Sequence, residues 1–247
     1  MNGTPETQAA GPDASIEARL RATDWAGVEA DLNAYGWAML EGVLTAEECR
    51  NVAALYEGGG FRSRVVMARH GFGQGEYQYF SYPLPEIVAE LRSSLYWRLA
   101  PVANRWNETL GIETQYPVQL EEFLGRCHQA GQQRPTPLLL QYGEGDYNCL
   151  HQDLYGEHVF PFQAAFLLSQ PEVEFTGGEF VLTEQRPRMQ SRVEVVPLRQ
   201  GDGVIFAVHH RPVQGTRGTY RVYLRHGVSR VRSGRRHTLG VIFHDAE

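Results

Sequence analysis

From Thr136 onward the hydrophobic pattern changes period, and this change constrains the fold more than any other feature of the 247-residue chain. Short apolar runs bounded by Gly, Pro and charged turns predict strands at 136–142, 147–151, 163–169, 179–183, 193–198, 203–208, 220–226 and 237–243. Eight short strands after a helical region predict a mainly β chain with N-terminal helices, an α+β arrangement. Its core would be a jelly roll of about eight strands, buttressed by the helices.

Upstream, Ile16, Leu20, Val28 and Leu32 fall at helical spacing and Gly36 stops the run. Trp37 to Leu40 reads as a short strand. Thr45 and Glu48 form a capping box that opens a helix running to Glu57. Phe61 to Tyr82 has no lasting period and reads as an exposed loop or irregular hairpin. A long amphipathic helix follows through Ile87, Leu91, Leu95, Leu99, Val102 and Trp106, with Pro101 expected to kink or split it. The organisation expected is a polar, disordered tail over 1–14 and one domain over 15–247. Within that domain, 15–135 would supply helical support and a lid, and 136–247 the jelly-roll core.

Composition narrows the class. Apolar residues make up 42% and charged residues 21% of the chain, which excludes a disordered or fibrous protein. No apolar stretch approaches the roughly 20 residues that span a bilayer. The first residues lack the basic start and apolar core of a signal peptide. Cys49, Cys127 and Cys149 are scattered and never form C-x-x-C, which argues against a disulfide framework or a thiolate zinc site and sets a cytoplasmic location as the expectation. The net charge is −6, yet residues 183–240 carry 12 Arg against Glu184, Glu194 and Asp202. Such a basic stretch permits an anionic ligand without identifying one.

The chemistry starts at His151-Gln152-Asp153. Residues i and i+2 at a strand end project from one face, so an imidazole and a carboxylate arrive side by side. His226 ends strand 220–226, and Arg236 opens the next. Two histidines and one carboxylate with open positions form the ligand set of non-haem Fe(II) oxygenases. A neighbouring Arg supplies the fork that binds a carboxylate bidentately. A competing arrangement uses His209 or His210, with Arg217 or Arg221 as the anchor. The Gly-x-Arg spacing after His226 and the strand beyond it favour His226. His158, His237 and His244 read as structural.

At these residues the chain resembles the Fe(II)/2-oxoglutarate-dependent dioxygenase superfamily, from about Tyr142 to His244. The segment His226-Gly-Val-Ser-Arg-Val-Arg-Ser-Gly-Arg-Arg236 has the cadence of the prolyl-hydroxylase-like branch, with Arg230 where that branch has Pro. Tyr142-Gly-Glu-Gly145 followed by His151-Gln152-Asp153 is similar to the alkylated-base repair branch. Gly177-Gly178 and Gly201-Asp202 match turns shared across the superfamily. The resemblance implies a double-stranded β-helix core in which His151, Asp153 and His226 hold Fe(II) and carry the catalysis. It implies 2-oxoglutarate as co-substrate, bound by Arg236, Thr238 and Tyr142, with dioxygen as oxidant.

The whole chain also resembles a bacterial oxygenase family linked to oxidation of damaged nucleic acid, through Phe61–Gly73, His151–Glu157 and Leu224–Ser229. Enzymes that modify bases stack an extruded base on aromatic rings and hold phosphates with Arg. Arg62, Arg64, Arg69, His70 and Tyr77 are the candidate substrate residues on that reading, and nucleic acid the candidate partner. The alternatives are a hydroxylase of a small molecule, amino acid or protein side chain, and a non-catalytic metal-binding barrel. No membrane partner is expected.

Overall fold

The structure, a computed structural model, describes residues 14–247. The tail expected over 1–14 therefore lies, but for its last residue, outside the described residues.

The side chains of Ser15 and Asp24 each accept a backbone N–H and cap a helix, α1 (Ile16–Ala22) and α2 (Trp25–Tyr35). The single helical run expected over Ile16 to Leu32 is thus two helices. An Asp carboxylate that captures the Gly27 N–H starts a helix rather than continuing one. Gly36 closes α2 at φ +80° and leads into β1 (Trp37–Leu40). The Thr45–Glu48 capping box opens α3 (Ala46–Ala54), whose last turn tightens to 3-10 geometry over Leu55–Glu57.

Phe61 to Tyr82 proves to be a hairpin integrated into a sheet. β2 (Phe61–Val66) pairs with β4 (Glu76–Phe80), and the short β3 (Gly73–Gln74), between them in sequence, pairs instead with Tyr147 and Asn148. Met67, Tyr77 and Phe80 are buried there. α4 (Glu86–Thr109) contains Pro101 and is not ended by it. α5 (Leu120–Gln129) completes the helices.

Eleven strands follow: β5 (Leu138–Tyr142), β6 (Tyr147–His151), β7 (Phe162–Leu167), β8 (Phe175–Gly177), β9 (Phe180–Gln185), β10 (Arg192–Val196), β11 (Gly203–Ala207), β12 (His210–Gly215), β13 (Gly218–Val228), β14 (Val231–Gly234) and β15 (Arg236–Ile242). All eight expected strands are among them. β12 was hidden in the sequence by Pro212, which is tolerated because β12 pairs with β13 alone, at an edge.

The strands form a seven-stranded sheet in the order β1-β11-β7-β15-β5-β4-β2, a six-stranded partner β10-β9-β13-β6-β3 with β12 on β13, and a β14-β8 ribbon. Every pairing between these strands is antiparallel, giving a jelly roll with helices packed on one side. The large sheet is buried on both faces, and period-two alternation divides its side chains. Phe162, Ala164 and Phe166 of β7, Ile205 and Ala207 of β11, and Leu239 and Val241 of β15 pack against the helices. Ala165, Leu167, Val204, Phe206 and Ile242 point the other way, between the sheets. Burial on both faces is why these strands read as nearly continuous apolar runs.

One ionic knot ties helix to sheet. Arg92 of α4 is 1% exposed; it donates to the carbonyls of Ile242 (2.9 Å) and Phe243 (3.1 Å) and to Asp245 Oδ1 (2.7 Å). Asp245 also accepts from the Tyr82 hydroxyl at 2.9 Å and lies 2.8 Å from His128 Nε2. Removing one member of a buried pair strands the other charge. Arg92→Leu should therefore lower unfolding free energy by about 3–5 kcal/mol in urea denaturation; a loss under about 1 kcal/mol would show that the knot is not stabilising.

Candidate active site

Strand register assembles the site. β6 delivers His151 at its last position, and Asp153 follows two residues on. β13 runs antiparallel to β6 with His226 directly opposite His151, and a register shift follows between His226 and Val228. The two imidazole centroids are 4.2 Å apart. The Asp153 carboxylate sits between the rings, Oδ1 3.4 Å from His151 Nε2 and Oδ2 3.3 Å from His226 Nε2. One donor atom from each of the three residues falls within 4.8 Å of the others, the one such cluster found among the described residues.

The surroundings set the charge states. Asp153 is buried, which alone would raise its pKa, but hydrogen bonds and charge from the two imidazoles hold it well below the usual carboxylate range. Burial lowers His226, and the neighbouring His151 adds to this. In His151 burial is outweighed by Asp153, and its pKa is raised. His151 Nδ1 lies 2.8 Å from the Cys149 carbonyl, which fixes Nδ1 as the protonated nitrogen and turns Nε2 toward the cluster. Phe206 and Phe180 flank the His226 ring at centroid distances of 4.5 and 6.0 Å.

Three further side chains, Tyr155, Tyr79 and Gln152, support the cluster. The Tyr155 hydroxyl donates to Asp153 Oδ1 at 2.8 Å, and the Tyr79 hydroxyl stands 3.5 Å behind it. Burial, reinforced by the Asp153 charge, pushes the Tyr155 phenol far up, so it remains a donor. Gln152, between the two β6-side members, donates to the carbonyls of Leu224 (2.7 Å) and His209 (3.2 Å) and pins this segment to β13. Tyr155 repeats the i+2 spacing of His151 and Asp153, the one sequence signal that could have found it.

The cluster opens into a cavity of about 910 Å³, its mouth included, whose lining also includes Arg236, Thr238 and Tyr142. The register of β15 on β5 places Arg236 opposite Tyr142. The Arg236 guanidinium is 1% exposed and donates to the Thr238 hydroxyl, and its Nε has no partner. Burial pulls it down to about 10. Tyr142 and Phe175 lie beneath it at 5.5 and 5.9 Å, and no carboxylate among the described residues forms an ion pair with it. Gly178 makes room: a Cβ there would stand 2.9 Å from Arg236 Cδ.

The other candidates are placed as follows. Tyr77 lines the cavity with Tyr79 and Phe72. Arg62 and Arg64 do not: Arg62 donates to the Pro135 carbonyl at 2.8 Å over the Tyr79 ring, and Arg64 pairs with Glu76. Arg69 and His70 are exposed, and His70 stacks on Phe72 at 5.3 Å, near the mouth. His209 and His210 contact each other (Nδ1–Nδ1 3.1 Å) outside the cavity lining, and burial lowers His210 to about 4. His158, His237 and His244 also lie outside that lining. No helix among the described residues is long and apolar enough to cross a membrane.

Known proteins match both the sequence and this architecture. An uncharacterised protein of Mycobacterium tuberculosis is 50% identical over 167 residues, 68% of this chain and 72% of that one. An oxidoreductase of the 2OG-Fe(II) oxygenase family from Burkholderia pseudomallei superposes with a TM-score of 0.53 at 17% identity, covering 91% of this chain and 93% of that one. A Pseudomonas putida prolyl-4-hydroxylase gives 0.52 at 16% identity over 90% of this chain and 99% of that one. These structural likenesses show a common fold. The model of a family described as "Oxygenase, catalysing oxidative methylation of damaged DNA" matches residues 75–246, and with that span of the chain covered, the protein belongs to this oxygenase family.

Proposed function

We propose that the chain is an Fe(II)- and 2-oxoglutarate-dependent dioxygenase that hydroxylates a C–H bond, with damaged nucleic acid as the substrate of an oxidative dealkylation. The observation that carries the chemistry is one cavity lined by both a His-Asp-His cluster and a buried arginine without an ion-pair partner.

The residues fit the groups this chemistry needs. Two imidazoles and one ionised carboxylate, with no thiolate, suit iron(II) and leave three positions of an octahedron open. His151, Asp153 and His226 would hold the metal. Tyr155, hydrogen-bonded to Oδ1, fixes the carboxylate's orientation, and Cys149 does the same for His151 through its carbonyl. A guanidinium buried without a counter-ion is costly, and a carboxylate bound bidentately removes that cost. Arg236 would take the far carboxylate of 2-oxoglutarate, with Thr238 and Tyr142 adding hydroxyls. Bound here, iron with 2-oxoglutarate and dioxygen supplies the oxidising chemistry, which cleaves the 2-oxoacid to succinate and carbon dioxide and leaves one oxygen in the substrate C–H bond. The Phe180 and Phe206 rings around His226 keep water from that wall of the site. Hydroxylation of an N-methyl group on a base would release formaldehyde.

The substrate half of the reading draws on the family description and on the aromatic mouth, where Phe72 is 47% exposed beside His70. The internal engagement of Arg62 and Arg64 favours instead a small-molecule or peptide substrate. A formaldehyde screen of alkylated oligonucleotides alongside amino acids and peptides separates the two.

Three outcomes test the chemistry. His151→Ala, Asp153→Ala and His226→Ala should each abolish stoichiometric Fe(II) binding and succinate formation, whereas His209→Ala and His210→Ala should retain both; the reverse pattern would move the metal site. Arg236→Lys should raise the KM for 2-oxoglutarate by roughly 10- to 100-fold, the worth of one charged hydrogen bond, with metal affinity unchanged. Tyr155→Phe should weaken metal binding by about 10- to 100-fold, read by titrating the apoprotein with Co(II); an unchanged Kd would leave Tyr155 as cavity wall alone.

A further inference from the structure

We propose that the outward face of β13, from Arg221 through Tyr223 to Arg225, is a track for single-stranded nucleic acid that carries the strand flanking the nucleotide held in the metal cavity. This rests on the nucleic-acid reading above and adds to it a surface on a different sheet from the β2–β4 hairpin of the segment the sequence singled out.

Alternation along β13 sends Val222, Leu224 and His226 into the core and Arg221, Tyr223 and Arg225 to solvent. The two arginines stand about 14 Å apart along the strand, with the ring between them. Tyr223 is 43% exposed, a large aromatic on a solvent-facing sheet. The His209 and His210 rings lie 5.2 and 6.1 Å from it. Burial and the Arg221 charge hold both imidazoles below their ordinary pKa, so they flank the tyrosine as neutral rings.

The charge on this face is uncompensated. Some exposed arginines elsewhere are paired, Arg64 with Glu76, Arg105 with Glu29 and Arg192 with Glu194, while others such as Arg50 and Arg69 are not. Arg221 and Arg225 form no ion pair among the described residues. Their cross-strand neighbours on β9 and β12 are Thr183 and Pro212, and the groove at Arg225 is lined by Leu150, Thr183, Gln185 and Tyr223, without an acid. Cations spaced along a groove with an aromatic platform between them are the elements of single-strand recognition. Gln152 lines both this groove and the metal cavity, so the two are contiguous around the end of β6. A strand lying on β13 could place phosphates on the arginines and stack a base on Tyr223. The next nucleotide would then turn in past Gln152 toward His151, which is 34% exposed.

The test is fluorescence anisotropy of the full chain with a fluorescein-labelled oligothymidylate of about 12 nucleotides, titrated across salt. Arg221→Gln with Arg225→Gln should weaken binding roughly tenfold at low salt. It should also flatten the slope of log K against log salt by about 1.4, two phosphate contacts at about 0.7 each. Tyr223→Ala should weaken binding about 5- to 150-fold, the range measured for one stacked base, while Tyr223→Phe binds within about twofold of the parent. Thermal melting of each variant checks that the fold is retained. If the parent binds with a salt-dependent slope and these variants match it, the track is wrong while the nucleic-acid reading stands. If the parent shows no salt-dependent binding, both fall.

Discussion

The antiparallel register that sets His226 opposite His151 is the constraint on which the rest of the site depends. A slip of one residue in β13 would turn every side chain to the other face. His226 would point to solvent, Arg225 into the barrel, and Val222 and Leu224 out of the core, at about 1.5–3 kcal/mol for each apolar side chain exposed. The geometry of the His151–Asp153–His226 cluster is thus held by ordinary hydrophobic alternation several residues away. The strands also approach closely here: a Cβ at Gly227 would stand 2.8 Å from the Asn148 carbonyl, so glycine is required next to His226 for the register to close.

Within that frame, buried charge is treated in two ways. Arg92 and Arg211 are nearly inaccessible, and each is matched by a carboxylate, Asp245 and Glu184. Arg236 is as buried as Arg92 and is given one hydroxyl and two aromatic faces. The compensated pairs fasten helix to sheet and β12 to β9. The uncompensated one lines the cavity that also holds the Asp153 carboxylate, itself shared between two imidazoles. The fold thus pairs two buried arginines and leaves the third without an anion among the described residues.

Much of this was legible in the sequence, for a physical reason. Strands buried on both faces announce themselves as apolar runs, so β7, β11 and β15 were plain. His-x-Asp at a strand end and Arg-x-Thr at a strand start use period-two geometry, so their side-chain directions could be read without knowing the fold. The missed elements share the opposite property. The β2–β4 hairpin is built from Tyr and Arg, whose apolar bodies are buried while their polar ends keep the pattern from looking periodic. Asp24 divides α1 from α2 through one side-chain hydrogen bond that helical spacing does not reveal. Arg62 and Arg64 showed their charge but not their partners: the Pro135 carbonyl and Glu76 become neighbours only when β2 and β4 pair and the hairpin joins the large sheet. Tyr155 likewise owes its place to tertiary contacts.

The net charge of −6 is a poor guide to what the cavity's surroundings attract, because charge is sorted by layer. Glu17, Glu29 and Glu48 lie on the helical layer and are paired there with Arg98, Arg105 and Arg19. On β13, Arg221 and Arg225 have no acidic partner among the described residues, and neither faces an acid across the strands. At physiological ionic strength exposed charges are screened beyond about 8 Å, so an approaching anion responds to the nearest face rather than to the chain's total. An acidic chain with a locally basic sheet face would bind polyanions weakly and with steep salt dependence. That regime suits an enzyme that samples a long polymer for a rare altered base, since release from unaltered stretches must be fast. A small neutral substrate would gain nothing from such a face, which makes the sorting of charge, rather than its sum, the feature that separates the two substrate readings.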